Sequence, residues 1–329
     1  TGDLVNVPNV RMPVKGRGEY RLPLRIDDRV RADLDTFKPN LVHLSSPDPV
    51  AHAALKWARE HDIPVLASVH TRVETYPRYY GLGFLEPAVE AILRRFYQRC
   101  DALVAPSQSQ IEELRAQRMH DDIAIWSRGV DRTVFHPSKR DHKWRRAHGL
   151  ADDDVAIVFL GRLVMEKGLD VFAETIVQLR QRQVPHKVLV IGDGPAREWF
   201  EKALPGGIFA GFKTGKDLGQ ALASGDIFFN PSITETFGNV TLEAMACGLP
   251  VVAAGATGAA SLVQDGATGR LVPPDRPELF APACAEALAP YCTDDNLRLL
   301  HGANGEEAAG AYTWDAINQA VVDTYLRLI

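Results

Sequence analysis

The stretch Ile227-Phe228-Phe229-Asn230-Pro231-Ser232-Ile233-Thr234-Glu235-Thr236-Phe237-Gly238-Asn239-Val240-Thr241-Leu242-Glu243-Ala244-Met245-Ala246 reads as a buried strand, a turn and a helix in succession. Ile227 to Phe229 is a short apolar run that fits the end of a parallel strand. Pro231 and Ser232 break it, and Gly238-Asn239 opens a helix that runs through Ala246. Amides of its first turn, around Val240 and Thr241, lack partners within the helix and point outward with the positive end of the dipole, which binds phosphate readily. Glu235 precedes the helix and Glu243 falls on its second turn, so the two carboxylates can reach different parts of one ligand. Taken alone, each reads as a solvated charge.

The sequence upstream changes that reading. Ala156-Ile157-Val158-Phe159-Leu160 is a continuous apolar strand, followed by Gly161-Arg162-Leu163-Val164-Met165-Glu166-Lys167-Gly168-Leu169-Asp170. A strand ending in glycine, then two cations, then glycine at a helix start suits a pyrophosphate. Arg162 offers a planar fork to two oxygens and Lys167 a point charge. Surface solubility would explain two cations, but not their place at the carboxyl end of a strand, where open α/β sheets bind ligands. A third turn, Gly192-Asp193-Gly194-Pro195, follows Val188-Leu189-Val190-Ile191; alone, it reads as a tight strand-to-helix connection.

At 329 residues the chain exceeds what one core usually supports, so two domains are expected. No apolar run approaches the roughly 20 residues needed to span a bilayer, and no signal peptide is visible. Cys100, Cys247, Cys284 and Cys292 lack CxxC spacing, which argues for a reducing compartment and against a zinc site. Cys247, among small residues, reads as a buried structural thiol. A cytoplasmic location follows, with peripheral attachment to the inner membrane face as an extension of it. Charge is uneven: residues 1–150 hold 24 Lys and Arg against 19 Asp and Glu, the remainder 13 against 23. A basic first half suits an anionic lipid surface. Within Pro87 to Arg99, Val89, Ile92, Leu93 and Phe96 repeat at helical spacing beside Arg94, Arg95 and Arg99. That pattern fits either an interfacial helix or a core helix with a solvated arginine face. No zinc-finger or RNA-binding signature accompanies the charge, so nucleic acid is not an expected partner.

Strands and helices alternate throughout, which indicates two doubly wound α/β domains. In the first, 41–44, 65–69 and 102–105 read as strands, with helices over 50–60 and 111–117. Residues 129–142 read as the linker, stiffened by His136-Pro137. In the second, strands fall at 156–160, 187–191, 226–230 and 250–254. Its helices fall near 168–183, 214–223, 239–247, 277–288 and 294–309.

These pieces in order resemble glycosyltransferase family 4, retaining nucleotide-sugar-dependent enzymes with the GT-B fold. The resemblance rests on Gly161-Arg162 with Glu166-Lys167-Gly168-Leu169-Asp170, on Gly192-Asp193-Gly194-Pro195, and on Pro231-Ser232 leading to Glu235 and Glu243. It extends to Ala246-Cys247-Gly248-Leu249-Pro250-Val251-Val252 and Asp265-Gly266-Ala267-Thr268-Gly269-Arg270-Leu271-Val272. Ser68-Val69-His70-Thr71, Ala105-Pro106-Ser107 and the run from Arg128-Gly129-Val130-Asp131 to His136-Pro137 also match, so most of the chain from about Pro39 is covered. Tyr76-Pro77-Arg78-Tyr79-Tyr80-Gly81 and Arg128 look most like the branch that glycosylates lipids, glycolipid α-mannosyltransferases and sulfoquinovosyl-diacylglycerol synthases among them.

The resemblance implies an acceptor-side Rossmann-like domain over 1–140, a nucleotide-sugar-binding one over 141–312 and a helix over 313–329 that packs back on the first domain, with a cleft between the two domains. It implies transfer of a sugar, GDP-mannose slightly ahead of a UDP-sugar as donor, to a lipid or glycolipid hydroxyl. The leaving phosphate takes the acceptor proton on the face of attack. By the same resemblance Arg162 and Lys167 hold the diphosphate, Glu235 the sugar and Glu243 the ribose, while Gly161 and Phe237-Gly238-Asn239-Val240 line the donor. Lys213 stands where the family meets the base, and His70 faces the sugar or its phosphate unless it is a satisfied core histidine. Tyr76, Tyr79 and Tyr80 border the acceptor or pack on the first domain. No cofactor and no metal is expected, and Asp152-Asp153-Asp154 reads as a solvated boundary run. A UDP-sugar enzyme with a soluble or polysaccharide acceptor, and a noncatalytic nucleotide-sugar-binding protein, are the competing readings. Thr1 to Val10 resembles material that follows the first βα units of a complete member, so roughly 50–100 residues, two to three such units, are expected to be missing ahead of it.

Overall fold

Continuous apolar runs become parallel strands in both halves of the chain. The computed structural model describes residues 5–11, 21–70 and 82–329. Two units form, Thr1–Trp126 with Asn318–Ile329, and Ser127–Ile317. In the first, a short antiparallel pair, β1 (Asn9–Arg11) and β2 (Arg21–Pro23), precedes α1 (Asp28–Phe37). Then β3 (Val42–Leu44), α2 (Pro49–Glu60), β4 (Val65–Ser68), α3 (Glu86–Tyr97), β5 (Ala102–Ala105), α4 (Gln108–Ala116) and β6 (Ile123–Ile125) alternate. The parallel sheet runs β3-β4-β5-β6. Asp48 caps α2 by accepting from the Ala51 amide at 2.9 Å, with Pro49 in the first turn where a missing N–H costs nothing. The helix α1 was not foreseen: none of its residues is buried, so it carries no apolar period to read.

The second unit begins with α5 (His142–Ala147) and continues β7 (Ala156–Leu160), α6 (Leu169–Gln181), β8 (Lys187–Ile191), α7 (Arg197–Ala203), β9 (Ile208–Gly211), α8 (Gly215–Ala223) and β10 (Ile227–Asn230). It ends with α9 (Asn239–Ala246), β11 (Val251–Ala254), α10 (Thr257–Leu262), β12 (Gly269–Val272), α11 (Pro277–Thr293), α12 (Asp295–Ala309) and the start of α13 (Trp314–Leu328). Its sheet is all parallel, in the order β12-β11-β10-β7-β8-β9. The order reverses between β7 and β10, which makes their carboxyl ends the topological switch point. Helices cover both faces, so β7, β10 and β11 are buried on both sides and read as unbroken apolar runs. On α6, Leu169, Phe172, Ala173, Ile176 and Leu179 form the buried stripe.

The second unit starts earlier than the boundary at 140 read from the sequence. Val130 donates to the Tyr312 carbonyl at 2.9 Å, and Phe135 is buried in the core of this unit, which draws the expected linker into it. The later half of α13 belongs to the first unit: Val321 joins Leu66, Ala102 and Val104, and Tyr325 Oη lies 2.6 Å from His43 Nδ1.

At the amino-terminal edge of the second sheet, Arg145 is shut off from solvent. It pairs with Asp226 at 2.9 Å and donates to the carbonyls of Ser224 (2.7 Å), Ala151 (2.8 Å) and Asp154 (2.6 Å). Asp226 also accepts from Arg140 at 2.8 Å and from the Ala156 amide at 2.8 Å, so one carboxylate ties α5 to the entries of β7 and β10. Removing it strands a buried guanidinium, and Asp226→Ala is expected to cost about 3–5 kcal/mol of stability, measured by denaturant unfolding.

Candidate functional site

Loops leaving four neighbouring strands gather at the carboxyl end of the second sheet. The exit of β7 carries Gly161, Arg162 and Lys167; that of β10 carries Glu235; that of β8 is Gly192–Pro195; that of β9 carries Lys213. Across the switch point, Lys167 Nζ lies 2.7 Å from Glu235 Oε1, with both side chains half-buried. The same two loops are joined by Thr234 Oγ1, which donates to the Glu166 carbonyl at 3.2 Å. The sequence assigned Lys167 and Glu235 to one site but to different parts of the ligand; their direct pairing is a tertiary finding.

Arg162 is exposed on the β7 exit and forms no ion pair with the described residues, so its fork is open to an anion. Lys213 is half-buried two residues beyond β9. Strands stand about 4.8 Å apart, which puts the β9 exit about 10 Å from that of β7, the reach of a nucleoside from its diphosphate.

The turn from Glu235 into α9 is held from three sides. Asn230, buried at the strand end, donates to Thr241 Oγ1 at 3.2 Å and accepts from the Ser232 amide at 3.1 Å. Phe237 is buried, its ring 5.9 Å from that of Tyr312. Gly238 then takes a left-handed conformation (φ 90°) as the residue before the helix. One expectation is corrected here: the Thr241 amide donates to the Gly238 carbonyl at 2.9 Å, so it is not a free donor. The left-handed turn brings that carbonyl round to Thr241, which leaves the amides of Asn239 and Val240 as the ones preceding the first intrahelical donor.

Two glycines fix the shape of this end of the sheet. A Cβ on Gly192 would sit 1.9 Å from the Gly161 carbonyl oxygen, so the turn after β8 can lie directly against the exit of β7 only without a side chain. Gly258 was missed. Its amide donates to the Glu235 carbonyl at 2.8 Å, and a Cβ there would fall 2.4–2.6 Å from backbone atoms of Phe237. The available signal was the pair Gly255 and Gly258 immediately after the apolar run of β11.

Glu243 is half-buried on α9, and burial pushes its carboxyl up to about 7. Cys247, one turn on, is buried; burial and then the Glu243 carboxylate push its thiol up to about 12, which leaves it a packing group. In the first unit, His70 follows β4, half-buried, with its ring 5.2 Å from Trp126. Trp126 also lies 5.4 Å from His43, whose own contact with Tyr325 the sequence did not signal. Tyr76, Tyr79 and Tyr80 lie outside the described residues. Asp152, of the acidic run, is paired with Arg146 at 2.6 Å.

A doubly wound parallel sheet with cations and a carboxylate at its switch point, in a chain that also holds a second Rossmann-like unit, defines the class of GT-B glycosyltransferases. Residues 2–134 match the family Glycosyltransferase Family 4 and residues 154–289 match Glycosyl transferases group 1. A GDP-mannose-dependent alpha-mannosyltransferase of Corynebacterium glutamicum is 31% identical over 327 residues, 99% of this chain and 76% of that protein. The sulfoquinovosyl transferase SQD2 of Arabidopsis thaliana is 32% identical over 303 residues, 90% of this chain but only 58% of its own length. Among solved structures, the sucrose-phosphate synthase from Thermosynechococcus elongatus superposes with a TM-score of 0.77 at 21% identity, over 91% of this chain and 76% of that one. The chain belongs to glycosyltransferase family 4.

The raised Glu243 carboxyl has a consequence for stability. The folded state holds its proton more tightly than the unfolded chain does, so stability falls as pH rises from about 4.5 through about 7. Glu243→Gln is expected to remove this slope and to stabilise the chain at pH 8 by roughly 1–3 kcal/mol, with little change at pH 4.5; thermal unfolding across that range measures it.

Proposed function

We propose that this chain transfers a hexose, with retention of its α-configuration, from a nucleotide diphosphate sugar to a hydroxyl of a lipid or glycolipid. GDP-mannose is the favoured donor. The observation that carries the reading is the Lys167–Glu235 pair at the switch point, 2.7 Å across. An ammonium and a carboxylate held side by side at the strand ends divide a nucleotide sugar between them: anion to one, hydroxyls to the other.

As the glycosidic bond lengthens, negative charge grows on the departing diphosphate. Lys167, the open fork of Arg162 and the amides of Asn239 and Val240 stabilise it where it develops, the electrostatic contribution that usually dominates. An arriving diphosphate competes with Glu235 for the Lys167 protons and frees the carboxylate to accept hydrogen bonds from the sugar. Glu243 takes the ribose, since a carboxylate can accept both protons of a vicinal diol. Gly161 lets the β7 exit approach the donor, Phe237 and Gly238 shape the turn around it, and Lys213 borders the base. By the family resemblance His70 is assigned to the sugar or its phosphate, and Tyr76, Tyr79 and Tyr80 to the acceptor. The acceptor oxygen attacks on the face the phosphate leaves, and that phosphate takes its proton. The chemistry assigned here uses no cofactor and no metal.

The mannosyltransferase relative, which is GDP-mannose-dependent by name, supports the donor choice. The tyrosine-rich stretch after His70 supports the lipid acceptor.

A panel of GDP- and UDP-sugars tested by thermal shift decides the donor, because a ligand that binds the folded state raises Tm in step with its affinity. Stabilisation by UDP-sugars alone rejects GDP-mannose. Lys167→Ala is expected to lower transfer about 100-fold or more with little loss of folding; near-normal turnover would defeat the phosphate role. Glu235→Ala should lower turnover more than Glu243→Ala, in initial-rate assays of sugar transfer.

A further inference from the structure

We propose that Trp126 is a positioning residue for sugar transfer: its indole fixes the ring of His70, and His43 and Tyr325 hold the indole in turn. The inference deepens the proposed function and rests on it, because it takes His70 as a group that meets the sugar or its phosphate. Alternation along the strands of the first sheet brings these side chains to one face. His43 pairs in register with Leu66 on the neighbouring strand, so the two share a face. His70 lies four residues beyond Leu66, and Trp126 two beyond Ala124, each at the spacing that returns to it. The later half of α13 covers this face, where Leu66, Ala102, Val104 and Val321 are buried with Trp126 and Tyr325 packed against them.

Backbone pairing continues past the strand ends. The Val69 amide donates to the Val104 carbonyl at 2.9 Å and the Trp126 amide to the Ala105 carbonyl at 2.8 Å. Both bonds go to β5, so His70 and Trp126 flank the end of the strand that separates β4 from β6. Two strand spacings are about 10 Å, a gap that takes a large side chain to close. The indole closes it: its centroid lies 5.2 Å from that of the His70 ring with the planes at 60°, an edge-to-face contact. The same indole lies 5.4 Å from the His43 ring. His43 is itself anchored, with Tyr325 Oη 2.6 Å from its Nδ1. Burial holds the His43 imidazole below its ordinary value and the Tyr325 phenol above its own, so both are neutral near pH 7. His43 Nε2 is buried with no hydrogen-bond partner among the described residues, so this imidazole packs as a ring tethered at one nitrogen. Rotation of an imidazole about χ2 has broad minima, and a half-buried histidine just past a strand end needs neighbours to set its plane. The Trp126 ring supplies such a constraint, and a reacting group misplaced by about 1 Å can lose about 100-fold in rate.

The test is a double-variant cycle on initial rates of sugar transfer, with Tm and donor KM measured on the same proteins. Trp126→Ala is expected to lower kcat about tenfold or more while donor KM changes less than about twofold. Trp126→Phe, which keeps a ring at the contact, should recover most of that loss. Tyr325→Phe, which removes only the hydroxyl at His43, should lower kcat less than Trp126→Ala does. In a His70→Ala background Trp126→Ala should add no further loss, because a residue that acts through the imidazole then has nothing to hold. The packing is read separately by NMR. The His70 ring protons, assigned by their absence in His70→Ala, should carry a ring-current shift from the indole that disappears in Trp126→Ala. Losses that multiply in the double variant, or His70 protons that do not move in Trp126→Ala, overturn the positioning role. So does a fall in rate that only follows a fall in Tm and is not recovered by Trp126→Phe. Full transfer by His70→Ala overturns the assignment of His70 and this inference with it. Impaired transfer by His70→Ala with multiplying losses overturns the inference alone.

Discussion

Reversal of strand order between β7 and β10 is the constraint on which the candidate site depends. Strands wind outward in both directions from that point, so the loops leaving β7 and β10 have no crossover helix between them and can meet. They meet through Lys167 and Glu235, residues 68 positions apart in sequence. Half-buried charges of opposite sign are tolerable together and costly apart. The pair therefore keeps both groups aimed until a ligand arrives to replace one partner with another.

Close backbone approach does the rest of the positioning. The β8 turn leans on the β7 exit because Gly192 has no Cβ, and the turn carrying Glu235 and Phe237 leans on Gly258 for the same reason. Rigidity at the other end of the sheet comes from the Arg145–Asp226 network, where a buried guanidinium satisfies three carbonyls and one carboxylate. The strand entries are thus fixed by charge and the strand exits by glycine.

The first unit carries a different kind of information. Its sheet fixes His70 beside Trp126, and its α3 buries one face while leaving an apolar and cationic stripe outside. In the sequence the same helix admitted two readings, core or interfacial. The structure assigns Leu93, Phe96 and Tyr97 to the core and exposes Phe84, Ile92, Arg95 and Arg99, so the segment has both characters on opposite sides.

The strands at 156–160, 187–191 and 102–105 were legible residue for residue, because a parallel strand covered on both faces must be apolar throughout. The loop motifs after them were legible as well, since glycine, lysine and carboxylate there answer a local chemical need. Edge strands β9 and β12 are short and partly exposed, the second interrupted by Arg270, and the polar helix α1 left no period. Which exits lie side by side, that Lys167 touches Glu235, that Gly258 seats the turn, and that Glu243 is buried enough to hold its proton near neutrality were decided only by tertiary structure. The physical reason is that strand order and burial are properties of the whole sheet, whereas apolar runs and turn residues are properties of a few neighbours along the chain.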